Sequence, residues 1–201
     1  YVVAEVDYVV YDGWVAEFKE LIKGVDFDYL ISGTHYTETD EYKDGPVSVF
    51  KIKDFPIEVQ TTLIKKHFDN VRKAAESKMF AFIAHIDFIR WAQIVGEEDY
   101  KDEKMSVVEA LHKSGTAYEI NTKGLKSIGD FYPAKWLIKE LNSRSIPVVI
   151  SDDAHHTSQL GKHFDKAENI HKALGNINRW SFVWIDKSFS NELSIFIREK
   201  A

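Results

Sequence analysis

The run VVISDDAHHTSQLG, residues 148–161, sets an apolar segment directly against two aspartates and two histidines. Asp153 and His155 stand in an i,i+2 relation just past the apolar residues, so two ligand-capable groups can reach neighbouring positions in one cluster. His85 and Asp87 repeat that relation after FAFIA, and His35 follows ISGT, where the glycine permits close approach of backbone. Glu5 lies inside the apolar pattern VVAEVDYVV, where an unpaired carboxylate would be costly to bury. Carboxylate and neutral imidazole suit Zn, Mn or Fe, and a chain without cysteine leaves only nitrogen and oxygen donors. Each residue also has an ordinary reading. Glu5 can face outward from an edge strand, His35 can be a hydrogen-bonded turn residue, and His85 and Asp87 can form a structural contact. Asp152 and His156 fit either a supporting or a solvated position. His67, His112, His163 and His171 fall in helix-like context and read as packing or surface residues.

The elements that must carry these groups follow from periodicity. Strand-like runs occur at VVAEVDYVV, FDYLISGTHY, MFAFIAHIDFI, GTAYEIN, SIPVVIS, WSFVWID and LSIFI. Helical patterns lie between them at Trp14–Lys23, at Val59–Ser77, after Pro133 and at Leu160–Leu174. Alternating strands and helices imply an α/β fold with right-handed crossovers. The polar residues collect at the C-terminal ends of the strands, where α/β folds place their sites. Residues 37–56 and 90–106 break the rhythm and are expected to be charged excursions without firm elements. The acidic runs ETDEYKD and EEDYKDEK read as solvated faces. No repeat or linker divides the chain, so a single domain over residues 1–201 is expected.

Composition narrows the function classes. The 201 residues are 44% hydrophobic, which supports a substantial core, and the net charge of -6 disfavours a general nucleic-acid binder. No apolar run approaches the roughly 18 residues of a membrane span. No disulfide can form, and a soluble cytoplasmic protein is expected.

Taken together, AEVDY, FDYLISGTHY, IAHIDFIRW, YEINTKGL and YPAKWLIKELNSRSIPVVISDDAH resemble, in order and interval, segments of the PHP (polymerase and histidinol phosphatase) superfamily, most closely its histidinol-phosphatase branch. The resemblance implies a distorted (β/α)7 TIM-like barrel with two or three divalent metal ions at its C-terminal strand ends. Carried over, Glu5, His35 and His85 would hold one metal. Asp153 would help hold a second, bridged by Glu5, and His155 would belong to a third. The family's opening strand and His-x-His motif have no counterpart in the sequence, so a barrel lacking its N-terminal strand or strands is expected. An upstream segment is favoured over a decayed relative as the explanation. The closing motif usually reads Ser-Asp-Ala-His followed by Arg; here Asp152 and His156 take the flanking places. The arginine usual after the Asn-Thr segment is replaced by Lys126.

The activity implied is hydrolysis of L-histidinol phosphate, a small phosphorylated metabolite, to L-histidinol and phosphate in histidine biosynthesis, by attack of a metal-bound hydroxide. Arg90 is the leading phosphate clamp, Lys126 the second, and Glu119, Asn121 and His156 are candidate pocket residues. Asp153 and His155 are candidates for proton delivery to the leaving group. A related phosphoesterase acting on another small phosphate or a nucleic-acid end, and a non-catalytic metal-binding relic, are the competing readings. Oligomeric state is not encoded in any feature of the sequence.

Overall fold

The computed structural model describes residues 2–9, 11, 13–38 and 45–173, together with the backbone of two short strands at 180–182 and 196–198. The elements run β1 (Val3–Asp7), α1 (Trp14–Leu21), β2 (Tyr29–Gly33), β3 (Tyr36–Thr37), β4 (Val47–Ser48), α2 (Ile57–Ser77), β5 (Phe82–Ile83), α3 (Lys101–Ser114), β6 (Ala117–Asn121), α4 (Gly124–Ser127), α5 (Lys135–Ser143), β7 (Val148–Ser151), α6 (Phe164–Ala173), β8 (Trp180–Phe182) and β9 (Phe196–Arg198). Short 3-10 turns cover Val49–Asp54, Phe88–Ala92 and Thr157–Gln159.

Five strands form a parallel sheet in the order β1-β2-β5-β6-β7. Each successive strand is added on the same side of the last, as in the winding of a barrel, whereas a doubly wound sheet reverses direction. Among the described residues the sheet is an open arc, with β1 and β7 at its edges. The strand-like runs near 180 and 197 pair with each other as a separate antiparallel ribbon, β8 with β9.

Register sorts the side chains onto two faces. One face meets the helices through the main core, where Leu63, Phe68 and Val71 of α2 pack with Val107, Val108 and Leu111 of α3 and with Ile83, Tyr118, Ile120 and Val148 of the sheet. The other carries the smaller cluster of Phe82, Ala84, Ala117 and Val149, with Tyr29 and Ile31 against it. Glu5 pairs with Ile31, Asp7 with Gly33 and Glu119 with Val149, which places Glu5, Asp7 and Glu119 on this second face. The polar residues at its C-terminal rim follow from that parity.

Helix α3 corrects the expectation of a charged excursion over 90–106. Asp102 and Glu103 lie in its first turn and His112 and Lys113 in its last, matching the helix dipole, and Gly115 terminates it at φ 74. Lys104, inside the supposedly solvated run EEDYKDEK, is fully buried. Its ammonium donates to the carbonyls of Gly96 (3.1 Å) and Glu97 (2.7 Å) and lies over the Phe68 and Trp136 rings. Long polar stems can cross apolar surface when the head finds acceptors, which is why charge alone misjudged this helix. Residues 37–56 contain more order than expected as well, the β3–β4 pair and the 3-10 turn at Val49–Asp54.

Candidate metal centre

Three of the expected ligands converge. Glu5 from β1, His35 after β2 and His85 after β5 each offer one donor atom, and the three atoms lie within 4.8 Å of one another. Glu5 Oε1 is 3.2 Å from His85 Nε2 and 3.8 Å from His35 Nε2. The strands bearing them are consecutive in the sheet, so neighbouring C-terminal ends supply the donors. Gly33 keeps the space clear: a Cβ there would collide with the Glu5 carboxylate and come within 2.7 Å of the His35 ring. One carboxylate oxygen and two imidazole nitrogens suit a borderline divalent cation such as Zn, and the arrangement of this donor set fits one.

His35 is oriented by a residue absent from the expected set. The Asp7 carboxylate accepts the His35 backbone N–H and lies 3.3 Å from His35 Nδ1. With Nδ1–H directed at Asp7, Nε2 faces Glu5 as an acceptor, the arrangement by which carboxylates fix ligand histidines. The i,i+2 step from Glu5 to Asp7 was the available signal, since period two puts both on one face.

His85 is buried and leaves β5 with φ 26, a left-handed value rare outside glycine. Its backbone N–H donates to Glu119 Oε2 at 2.8 Å, and Glu119 also accepts from Asn121 Nδ2 at 3.0 Å. Glu119 and Asn121 are thus turned into the protein beneath His85. Burial raises the Glu119 carboxyl above the ordinary range. Burial pushes His85 down, but the hydrogen bond with Glu5 and the fields of Glu119, Glu5 and Asp153 outweigh it and hold the imidazole above its usual value. For Glu5, burial acts upward, yet the His85 bond and the positive fields of His85, His35 and Lys123 leave the carboxyl lowered. The cluster is electrostatically self-consistent: an anion faces groups that favour a positive partner.

Asp153 and His155 form a separate group on the loop after β7. Lys123, also absent from the expected set, joins them: its Nζ is 3.0 Å from Asp153 Oδ2 and 3.1 Å from His155 Nδ1. Asp153, like His85, leaves its strand through a left-handed residue, at φ 46. Asn121 Oδ1 accepts the Lys123 backbone N–H, which fixes the root of that lysine. The mutual fields of Lys123 with Glu5 and of Asp153 with His85 mark the two groups as neighbours. Neither Asp153 nor His155 shares the 4.8 Å cluster.

Arg90 is placed differently from a free phosphate clamp. It is only 7% exposed, and its guanidinium donates to Asp130 Oδ2 (2.9 Å), the Phe131 carbonyl (2.9 Å) and Asp87 Oδ2 (3.3 Å). Asp87 is fully buried and also accepts the Ala134 N–H, which ties the turn after His85 to the start of α5. It does not share a strand face with His85, because β5 ends at Ile83 and Asp87 opens a 3-10 turn. Lys126 on α4 and His156 after β7 are exposed at the surface.

No protein-family model matches the chain. It is 29% identical over 154 residues to a Deinococcus radiodurans protein named probable histidinol-phosphatase, an alignment covering 75% of this chain and 56% of that protein. The chain therefore spans little more than half the length of that relative. Its fold is similar to the crystal structure of a Listeria monocytogenes protein provisionally assigned as a histidinol phosphatase, with TM-score 0.63, 19% identity and coverage of 81% and 66% of the two chains. It is equally similar, at TM-score 0.63 and 16% identity, to a Lactococcus lactis histidinol phosphate phosphatase solved with zinc, L-histidinol and phosphate, covering 89% of this chain and 67% of that one. In sequence the chain is similar to that relative, and in fold to these two histidinol-phosphatase structures.

Proposed function

We propose that the chain belongs to a metal-dependent phosphomonoesterase that hydrolyses L-histidinol phosphate to L-histidinol and phosphate, and that its parallel arc is part of a distorted (β/α)7 barrel. The observation that carries this reading is the convergence of Glu5, His35 and His85 donors within 4.8 Å at adjacent strand ends. Glu5, His35 and His85, with Asp153 beyond them, would hold two or three divalent ions, Zn, Mn or Fe, which when bound would acidify a water and neutralise phosphoryl charge. Hydrolysis forms a P–O bond to water, breaks the ester P–O bond and leaves an alkoxide that needs a proton.

The chain's own residues do the rest. Lys123, anchored by Asn121 and held beside Asp153, supplies positive charge to the phosphate oxygens. His155, exposed at the rim, is the proton donor to the alkoxide, with Asp153 holding its neighbour Lys123 in place. Lys126 and His156 line the outer approach for the ester. Arg90 acts as a positioning residue, locking the turn after His85 through Asp87 and Asp130. Glu119 fixes the His85 backbone from below.

In the full-length protein, His85→Ala and Asp153→Ala should each lower metal content or phosphate release by ~100-fold or more while circular dichroism stays native. Normal metal occupancy and turnover in both variants would sink the assignment.

A further inference from the structure

Three buried ring nitrogens lie behind the metal centre without a hydrogen-bond partner of ordinary geometry among the described residues: Nδ1 of His85, and Nδ1 and Nε2 of His67. His85 presents its Nε2 to Glu5 at 3.2 Å. Its buried Nδ1 is on the other edge of the ring and so is directed away from Glu5, into the protein. His67 is fully buried on the inner face of α2, the helix that packs over β2 and β5. The Ile86 backbone, one residue beyond His85, acts on the His67 ring, and the mutual fields of His67 with His85 and His35 mark the three imidazoles as neighbours.

The surroundings are polar and uncharged. Ser32 alternates with Ile31 along β2, so it turns from the metal face toward α2, and its carbonyl accepts the Ala84 N–H beside His85 at 2.8 Å. Ser32 Oγ and both amide atoms of Asn70, one turn along α2 from His67, are likewise buried without a partner among the described residues. With Nε2 given to a cation, His85 is neutral and carries its proton on Nδ1, and ligand histidines ordinarily pass that proton to an acceptor that fixes the ring. Burial keeps His67 neutral, so one of its nitrogens donates and the other accepts, whichever tautomer it adopts. The two rings do not bond directly, and uncharged groups around them select a small neutral molecule that both donates and accepts, which is water.

We infer that His67 is a positioning residue for His85, acting through one buried water that accepts the His85 Nδ1–H and donates to His67, and so holds the plane of the ligand ring. This rests on the metal centre of the proposed phosphomonoesterase and is independent of which ester is cleaved.

The test uses the full-length protein with Zn, and with Co(II) as a coloured substitute. His67→Phe, which fills the space without a donor or acceptor, should weaken Zn binding about tenfold in chelator competition and shift the Co(II) visible bands, whereas His67→Gln, which keeps both groups, should stay within about twofold of wild type. In the zinc-loaded wild type, the His85 Nδ1–H should give a slowly exchanging NMR signal with a nuclear Overhauser effect to a long-lived water. A packing role alone predicts that His67→Phe keeps full Zn affinity in a fold at least as stable, and that result overturns the inference. Equal losses in the two variants overturn it too, as does a wild type without the protected proton and its water, even where His67→Phe does not fold. If the wild type binds neither metal, the metal centre fails and the inference with it; tight wild-type binding that both variants retain removes His67 alone.

Discussion

Asp7 gives His35 an orientation that the histidine cannot secure alone. Asp7 accepts the His35 backbone N–H and lies beside its Nδ1, which turns Nε2 on the far side of the ring toward Glu5. Asp7→Asn, which preserves shape but removes charge, should weaken metal binding by about 10–100-fold, read by chelator competition. Undiminished affinity would remove Asp7 from this role. His35 and His85 were readable in the sequence because each follows an apolar run, and Glu5 because it interrupts one. Asp7 was readable only as a parity partner of Glu5, because its contact lies 28 residues away. The cation beside Asp153 is Lys123 and not Lys126, since the turn of α4 carries Lys126 to the exposed side.

Helix α2 shows what an apolar stripe conceals at the scale of an element. Its buried face reads Leu63, Ile64, His67, Phe68, Asn70, Val71, Ala74 and Ala75, so a histidine occupies a core position. Neither ring nitrogen of His67 has a hydrogen bond of ordinary geometry. Burial, with the positive fields of His85 and His35, pushes its pKa down to about 3, against slight opposition from the Ile86 backbone. The unfolded chain takes up this proton near pH 6.5 and the folded chain does not. The stability present above pH 6.5 is therefore lost as pH falls toward 3. Between pH 7.5 and pH 5 the loss is about 2 kcal/mol. Urea unfolding should show it in the wild type and not in His67→Gln; equal pH slopes in the two would refute it. The stripe itself was visible in the sequence. Helix α3 was not, because its acidic first turn continues an acidic loop, and only the three-dimensional position of the Gly96 and Glu97 carbonyls explains the burial of Lys104.

Over the whole molecule, the candidate ligands tie together three adjacent strands, β1, β2 and β5, that are far apart in sequence. An ion bound by the folded state alone stabilises it by mass action, about 2.7 kcal/mol at a hundredfold excess over Kd. The thermal midpoint should therefore climb with added Zn and fall on chelation, and His35→Ala should abolish the dependence; a midpoint indifferent to Zn in the wild type would contradict a site at these strand ends. The α/β alternation behind this arrangement was legible as apolar periodicity. The extent of the parallel arc was not, because the runs near 180 and 197 have the same composition as sheet strands yet, among the described residues, pair with each other. Among the described residues no helix is long and apolar enough to cross a membrane.

The pairing of Asp7 with Gly33 and Glu5 with Ile31 has one more consequence. A slip of β1 by one residue would send Ala4, Val6 and Tyr8 to the rim and withdraw Glu5 and Asp7 together. The ligand and the group that aims its neighbour thus share one bit of positional information. Metal capture then doubles as an error check on strand assembly: only chains whose first strand has docked in the correct phase can pass it.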